Sequence, residues 1–167
     1  MPRILNLEDI LIRTEVKPGD IGYIIHLHGD MYKKEYNYGI EFEVYVAEGL
    51  VEFYRKYNKE YDKVWICEHQ NKIIGFLLSE HRGDAAQFRY FIILPEYRGI
   101  GLGNKLMELF LQHIKNKNYK SAYLWTTKEL VTASHLYKKY GFELSEEKKS
   151  DAFGKFVIEQ RYHLHLS

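Results

Sequence analysis

The sequence contains little cysteine or proline and has no long apolar segment. Its 167 residues include one cysteine, Cys67, and three prolines. A single cysteine excludes an internal disulfide framework and a cysteine-based zinc cluster. No apolar run approaches the roughly 18 residues that a membrane-spanning helix needs, and residues 1–9 lack the apolar core of a signal peptide. We therefore predict a cytoplasmic protein that does not associate with membranes.

An excess of charge of one sign is also missing. Lysine and arginine number 24 against 23 acidic residues, so the net charge is +1. This balance gives no overall field that would attract nucleic acid, and no nucleic-acid partner is predicted. The length and the 46% hydrophobic content fit a single domain over residues 1–167, which no linker or repeat divides. The 15 tyrosines are compatible with a monomer or a homodimer.

Hydrophobic periodicity predicts the element order β-α-α-β-β-β-α-β-α-β-β. This order favours a mixed α/β fold of the α+β kind, with a central, mostly antiparallel sheet flanked by helices, over a doubly wound fold. Strands 88–94 and 121–127 are expected to run parallel. In the second helix the spacing places Val44, Val51 and Tyr54 inward. The predicted elements are strand 10–16, helices 20–38 and 42–57, strands 63–69, 72–81 and 88–94, helix 102–117, strand 121–127, helix 129–140, and strands 142–149 and 155–164.

The most informative segment, residues 95–105, follows an apolar strand and opens an amphipathic helix. Glycine recurs at Gly99, Gly101 and Gly103, which lets several backbone N–H groups turn toward one point. With the positive end of the helix, these groups form a cradle for phosphate, although a simple tight turn has the same spacing. A Walker A loop is excluded because Gly103 is followed by Asn104. A dinucleotide-binding fold is excluded because antiparallel strands precede the segment.

Two motifs resemble the GNAT superfamily of N-acetyltransferases. Arg98, Gly101 and Gly103 match its Arg/Gln-x-x-Gly-x-Gly/Ala signature, and residues 133–142 are similar to its Leu-Tyr-x-x-x-Gly-Phe helix end. The predicted element order also resembles this GNAT fold over nearly the whole chain. Residues 28–36 are similar to a helix of acetyltransferase domains that are fused to MarR-type regulators.

The resemblance implies acetyl-CoA as co-substrate and no metal. The pyrophosphate would lie on residues 99–104, and the pantetheine arm would pair with the main chain of residues 91–93 like an added strand. One N–H group there would polarise the thioester carbonyl. The implied cofactor-binding residues are Phe91, Ile92, Ile93, Arg98, Gly99, Ile100, Gly101, Leu102, Gly103 and Asn104.

Tyr137 corresponds to the general acid of the family, which protonates the departing thiolate. A pKa near 10 keeps tyrosine protonated at neutral pH, whereas spacing alone favours an aromatic side chain that packs in the core. The resemblance implies direct transfer of the acetyl group to a primary amine in a ternary complex. The acceptor is a small molecule or a protein or peptide amine. The alternative is a catalytically weak CoA-binding sensor or regulatory module of the same fold.

The sequence departs from the family at two places. Leu130 stands where many members have a cofactor-binding asparagine, and Thr127 or Ser134 are the candidate substitutes. Residues 87–91 contain no carboxylate to serve as the general base, so the base is unassigned. For each candidate base, the pattern favours a solvated surface carboxylate; the candidates are Glu35, Glu41, Glu43 and Glu80.

One face of the first helix is predicted to form the wall of the amine pocket. His28, Tyr32 and Tyr36 share this face by their spacing, and we predict that His28 and Tyr32 contact the substrate. A packing face with polar edges is the alternative. His163 and His165 lie on one side of the last strand, but without a third ligand nearby they indicate a surface pair and no metal site.

Overall fold

A seven-stranded mixed sheet with helices on both faces forms over residues 3–166, which a computed structural model describes. The spatial order of the strands is β1-β2-β3-β4-β5-β7-β6. The predicted element order and mixed α/β class are confirmed. The elements are β1 (Leu11–Arg13), α1 (Asp20–Tyr36), α2 (Ile40–Arg55), β2 (Lys63–His69), β3 (Lys72–Arg82), β4 (Ala85–Ile93), α3 (Leu102–Asn116), β5 (Ser121–Thr127), α4 (Val131–Lys139), β6 (Glu143–Ser150) and β7 (Val157–His165).

Several predicted boundaries move by a few residues. Strand β1 is shorter than predicted and spans Leu11–Arg13. Helix α1 ends at Tyr36 because Asn37 adopts a left-handed conformation, with φ 59°, and closes the last turn. Helix α4 begins at Val131 and not at residue 129. These differences follow local capping, which hydrophobic periodicity does not report.

The predicted inward face of α2 is wrong for two of its three residues. Val44 and Val51 are 47% and 43% exposed, while Tyr54 packs at the edge of the core. The aromatic rings on the neighbouring stripe bury more apolar area than the valines and therefore decide which face turns inward. The buried residues of α2 are Phe42, Val46, Leu50 and Phe53.

The sheet opens between β4 and β5. These strands run parallel, as predicted, but pair only where residues 85–87 meet residues 121–123. Strand β4 also carries a bulge, since the register with β3 shifts between Phe76 and Leu78. Tyr90 lies in this bulge with φ +57°, a conformation that non-glycine residues rarely adopt. Beyond the bulge, the two strands diverge and leave a cleft.

Candidate active site

A cavity of about 510 Å³ occupies the cleft between β4 and β5. This volume lies in the range of small-molecule and cofactor sites. Gly99 and residues 101–104 border one end, which we call the cofactor end. Side chains of α1, α2 and the β6–β7 loop border the other, which we call the acceptor end.

The glycine loop at the cofactor end has the geometry of an anion cradle. Gly99 and Gly101 have φ of +81° and +92°, values that glycine adopts without strain. Gly101 precedes the first residue of α3, Leu102, so the free N–H groups of the helix start at the loop. A Cβ on Gly103 would lie 3.6 Å from Phe91 and 3.7 Å from Ile93. The loop therefore packs against side chains of β4 along one wall.

The main chain of β4 presents alternate residues to the cleft. The Leu94 N–H donates to the Ile74 carbonyl on β3 at 2.9 Å. Because backbone groups alternate sides along an antiparallel strand, the main chains of Phe91 and Ile93 face the cleft and that of Ile92 faces β3. All three residues border the cavity. The geometry suits Phe91 and Ile93 for strand-like pairing and makes Ile92 a contact through its side chain at most.

Arg98 joins the cofactor end to helix α1. Its guanidinium donates to both carboxylate oxygens of Glu35, at 2.7 and 3.0 Å, and to the Ile93 carbonyl at 3.1 Å. The bonds to Glu35 raise the pKa of Arg98. Glu35, a candidate base, is thus held in an ion pair. Arg98 links the glycine loop to helix α1 through this pair.

The other predicted loop residues differ in exposure to the cavity. Asn104 borders it and accepts hydrogen bonds from the Lys139 Nζ at 2.7 Å and from the Tyr140 hydroxyl at 3.0 Å. Leu102 also borders the cavity, although it is 1% exposed. The Ile100 side chain packs against the core on the α3–α4 side of the sheet. As far as the chain is described, Ile100 does not line the cavity.

Tyr137 reaches the cavity from helix α4 and is also packed in the core. Its ring contacts Phe88, with centroids 5.6 Å apart, and Tyr162 at 5.9 Å. Burial raises the pKa of Tyr137 well above its ordinary value, and the nearby hydroxyls of Tyr32 and Tyr162 add to this effect. Tyr137 therefore keeps its proton throughout the physiological pH range. Its ring packs in the core, and its role as the general acid stays a prediction.

Neither candidate substitute for the asparagine at Leu130 is free of other hydrogen bonds. Leu130 caps helix α4 and borders the cavity. The Thr127 hydroxyl is hydrogen-bonded to the Tyr38 hydroxyl at 2.7 Å. The Ser134 hydroxyl donates to the Val131 carbonyl at 2.9 Å. This wall of the cavity is consequently more apolar than the family pattern implies.

His28 and Tyr32 both border the acceptor end. His28 Nδ1 lies 2.9 Å from the Ile24 carbonyl oxygen, while its Nε2 is buried without a hydrogen-bond partner among the described residues. Burial lowers the pKa of His28 to about 4. The Tyr32 ring packs 4.5 Å from that of Phe42. The structure brings both residues to the predicted wall, and their contact with substrate stays a prediction.

The four candidate bases do not border the cavity, as far as the chain is described. Glu80 is bound by Arg82 at 2.7 Å and by Arg89 at 3.1 Å. The carboxylates that do border the cavity are Glu129 and Glu159. Neither was predicted from the sequence. Glu159 lies opposite Thr127 in the β5–β7 pair, and this register could not be known from sequence spacing.

The profile of the acetyltransferase (GNAT) domain matches residues 60–144. The chain belongs to the GNAT acetyltransferase family. The prediction of the superfamily from the two motifs is thereby confirmed, while the similarity to MarR-fused domains stays a prediction.

Individual relatives of this GNAT chain include proteins named as N-acetyltransferases. The uncharacterized N-acetyltransferase YjgM of Escherichia coli K12 is 30% identical over 98 residues, which cover 56% of this chain and 59% of that relative. The yncA protein of Salmonella typhimurium, solved with its cofactor acetyl-CoA, has a TM-score of 0.73 at 14% identity, with 95% of each chain covered. Spermidine N-acetyltransferase of Vibrio cholerae, in complex with CoA and spermine, has a TM-score of 0.69 at 23% identity and covers 95% of this chain and 96% of its own. These two structures share the GNAT fold.

Within residues 3–166 of this GNAT protein, no helix is both long and apolar enough to cross a membrane. The rings of His163 and His165 lie 4.8 Å apart, and the described residues contain no group of three or more potential metal ligands.

Proposed function

We propose that the protein is an acetyl-CoA-dependent N-acetyltransferase that transfers the acetyl group directly to a primary amine in a ternary complex. The observation that carries this proposal is that the glycine loop, the open edge of β4 and Tyr137 border one cavity. A phosphate cradle, an edge for an amide-bearing ligand and a proton donor are the parts that this reaction needs.

The residues present fit acetyl-CoA. The loop from Gly99 to Asn104 would bind the pyrophosphate through backbone N–H groups, with Lys139 nearby as a cation. The main chains of Phe91 and Ile93 would hold the pantetheine amides, and an N–H group on this edge would polarise the thioester carbonyl. Acetyl-CoA supplies an acetyl group that is activated as a thioester.

Tyr137 would act as the general acid. Its phenolic oxygen donates a proton to the departing sulfur as the C–N bond forms and the C–S bond breaks. The attacking amine loses one proton to solvent as the amide forms, and solvent returns one proton to Tyr137. An alkyl ammonium, with a pKa near 10.4, must lose a proton before it attacks. Glu159 is the cavity carboxylate best suited to bind this ammonium, because Glu129 is paired with Lys155 at 3.1 Å.

A catalytically weak CoA-binding sensor is the second candidate. The apolar side chain at Leu130 and the bonded hydroxyls of Thr127 and Ser134 support it, because they remove a family contact to the cofactor. Retention of Tyr137 at the cavity supports the enzyme. Both candidates require acetyl-CoA binding, and turnover separates them.

The first experiment is calorimetric titration with acetyl-CoA of the wild type, Gly101→Glu and Gly83→Glu. We expect the wild type to bind and Gly101→Glu to lose about 100-fold or more in affinity, because a carboxylate enters an anion cradle. Gly83 also has positive φ, +67°, with open space around it. Gly83→Glu therefore controls for added charge and backbone strain. Absence of binding in the folded wild type would overturn both candidates.

The second experiment measures release of free CoA thiol with a panel of amines. Acetyl transfer to any amine, lost in Tyr137→Phe, supports the enzyme. Binding of acetyl-CoA without transfer to small amines or peptide N-termini supports the sensor. We extend the proposal to a cytoplasmic protein that acts as a monomer or homodimer on a small-molecule, protein or peptide amine, without nucleic-acid or membrane partners.

A further inference from the structure

Aromatic rings enclose the acceptor end of the cavity. We define the aromatic chamber as the part lined by Tyr32, Tyr38, Phe42, Tyr45 and Phe153. We propose that this chamber selects a small monoamine acceptor that carries an aromatic ring. The inference rests on the proposed function and names the substrate class of the same site.

The chamber is built from segments that are distant in the chain. The Phe42 ring centroid lies 5.1 Å from those of Tyr38 and Phe153, and Tyr45 lies 5.2 Å from Phe153. The contacts of Phe42 with Tyr38 and Phe153 are edge-on. Aromatic groups prefer such edge-on and offset arrangements at these distances. A ring on the acceptor would contact the parts of these rings that border the cavity.

Hydrogen bonds and backbone contact connect two loops beside the chamber. The Gly39 N–H, between α1 and α2, donates to the Phe153 carbonyl at 2.8 Å. A Cβ on Gly154 would lie 3.0 Å from the Gly39 backbone, so the two loops are in close contact. The Lys155 Nζ also donates to the Tyr36 carbonyl at 2.7 Å. This connection holds the segments that carry Tyr38 and Phe153 in place, and we expect a small molecule to fit beside them better than a polypeptide.

The charges around the cavity suit one ammonium group. Glu129 is neutralised by Lys155, and Arg89 and Arg98 border the cavity as cations. Glu159 also borders it and makes no ion pair with another described residue. Glu159 lies on the α1–α2 side of β7, because residues two apart share a face and Val157 belongs to that core. A polyamine would bring several ammonium groups to a cavity whose described lining offers one carboxylate without an ion pair.

The test compares four acceptors at saturating acetyl-CoA: 2-phenylethylamine, propylamine, spermidine and a short peptide with a free N-terminus. We expect the ratio kcat/KM for 2-phenylethylamine to exceed that for propylamine by about 10- to 100-fold, as apolar pockets discriminate, and to exceed those for the other two. A preference for spermidine or the peptide, or equal use of propylamine, would overturn the inference.

Phe42→Leu tests the chamber directly, with Phe156→Leu as the matched control. Phe156 lies near Phe153 in the chain and is 62% exposed. We expect Phe42→Leu to raise KM for 2-phenylethylamine about 10-fold and KM for propylamine by less, while the Kd for acetyl-CoA stays unchanged. Phe156→Leu should change none of these. If Phe42→Leu does not fold, Tyr45→Leu at the more exposed rim replaces it.

Failure of the inference and failure of the proposed function give different results. If the wild type binds no acetyl-CoA, the proposed function fails and the inference with it. If it binds acetyl-CoA and acetylates another amine, but 2-phenylethylamine neither reacts nor binds the CoA-loaded protein in calorimetry, the inference alone fails.

Discussion

The two ends of the cavity are built in opposite ways. The cofactor end consists mainly of backbone groups from one short segment, in which Gly99 and Gly101 hold left-handed conformations. The acceptor end consists of side chains such as Tyr32, Phe42 and Phe153, which come from two helices and a distant loop. Backbone geometry demands particular residues at fixed spacing, whereas a wall of side chains can be assembled from many sequences. A sequence motif can therefore predict the binding of a common group, but it cannot predict which acceptor is selected.

Tyr137 lies where the two ends meet and gives the largest expected effect. We expect Tyr137→Phe to lower kcat by about 100-fold, the lower limit for loss of a general acid, and to change the Kd for acetyl-CoA little, because the ring and its packing remain. Steady-state rates and calorimetry measure the two quantities.

Tyr119→Phe is the control for this substitution. Its hydroxyl binds His81 away from the cavity, at 2.7 Å, so the variant should keep the wild-type kcat. Equal activity of Tyr137→Phe and the wild type would show that Tyr137 only packs the core.

His28 makes the acceptor end sensitive to acid. Its folded pKa of about 4 lies below the ordinary value of about 6.5, so the unfolded chain binds the proton more readily. Stability is therefore lost as pH falls from about 7 toward 4, by about 2 kcal/mol between pH 7 and pH 5. Urea unfolding at both pH values measures this loss.

His28→Asn keeps a group that can bond the Ile24 carbonyl but removes the titration. The decrease in unfolding free energy between pH 7 and pH 5 should be smaller in this variant by the same amount. If the two proteins show the same pH dependence, His28 is protonated in the folded state and the acceptor end is less well shielded than we describe.

Gly154 gives the smallest of these effects and tests the connection between the loops. Gly154→Ala and Gly19→Ala both place a side chain at positive φ, but a Cβ at Gly154 meets Gly39 and one at Gly19 meets open space. We expect Gly154→Ala to cost about 1 kcal/mol more in unfolding free energy and to raise the acceptor KM. Thermal unfolding and the amine assay test both effects; equal costs would show that the loops separate easily.

The sequence indicates much of the fold and of the cofactor end. The element order followed from periodicity, and the glycine spacing marked the loop beside Asn104. The core face of α2 was predicted wrongly, because both Val44 and Phe42 lie on apolar stripes and only the packed sheet distinguishes them. Glu159 was missed because its position depends on the β5–β7 register. The Arg98–Glu35 pair joins residues that only the tertiary fold brings together.

The narrow junction between β4 and β5 has a consequence for the unliganded protein. Since these strands pair only near residues 85–87 and 121–123, the sheet is least cross-linked through its middle. A co-substrate bound as proposed, along Phe91 and Ile93, would take the place of the absent strand pairing. It would then be a structural component, and its concentration would determine how firmly the two halves of the sheet are joined.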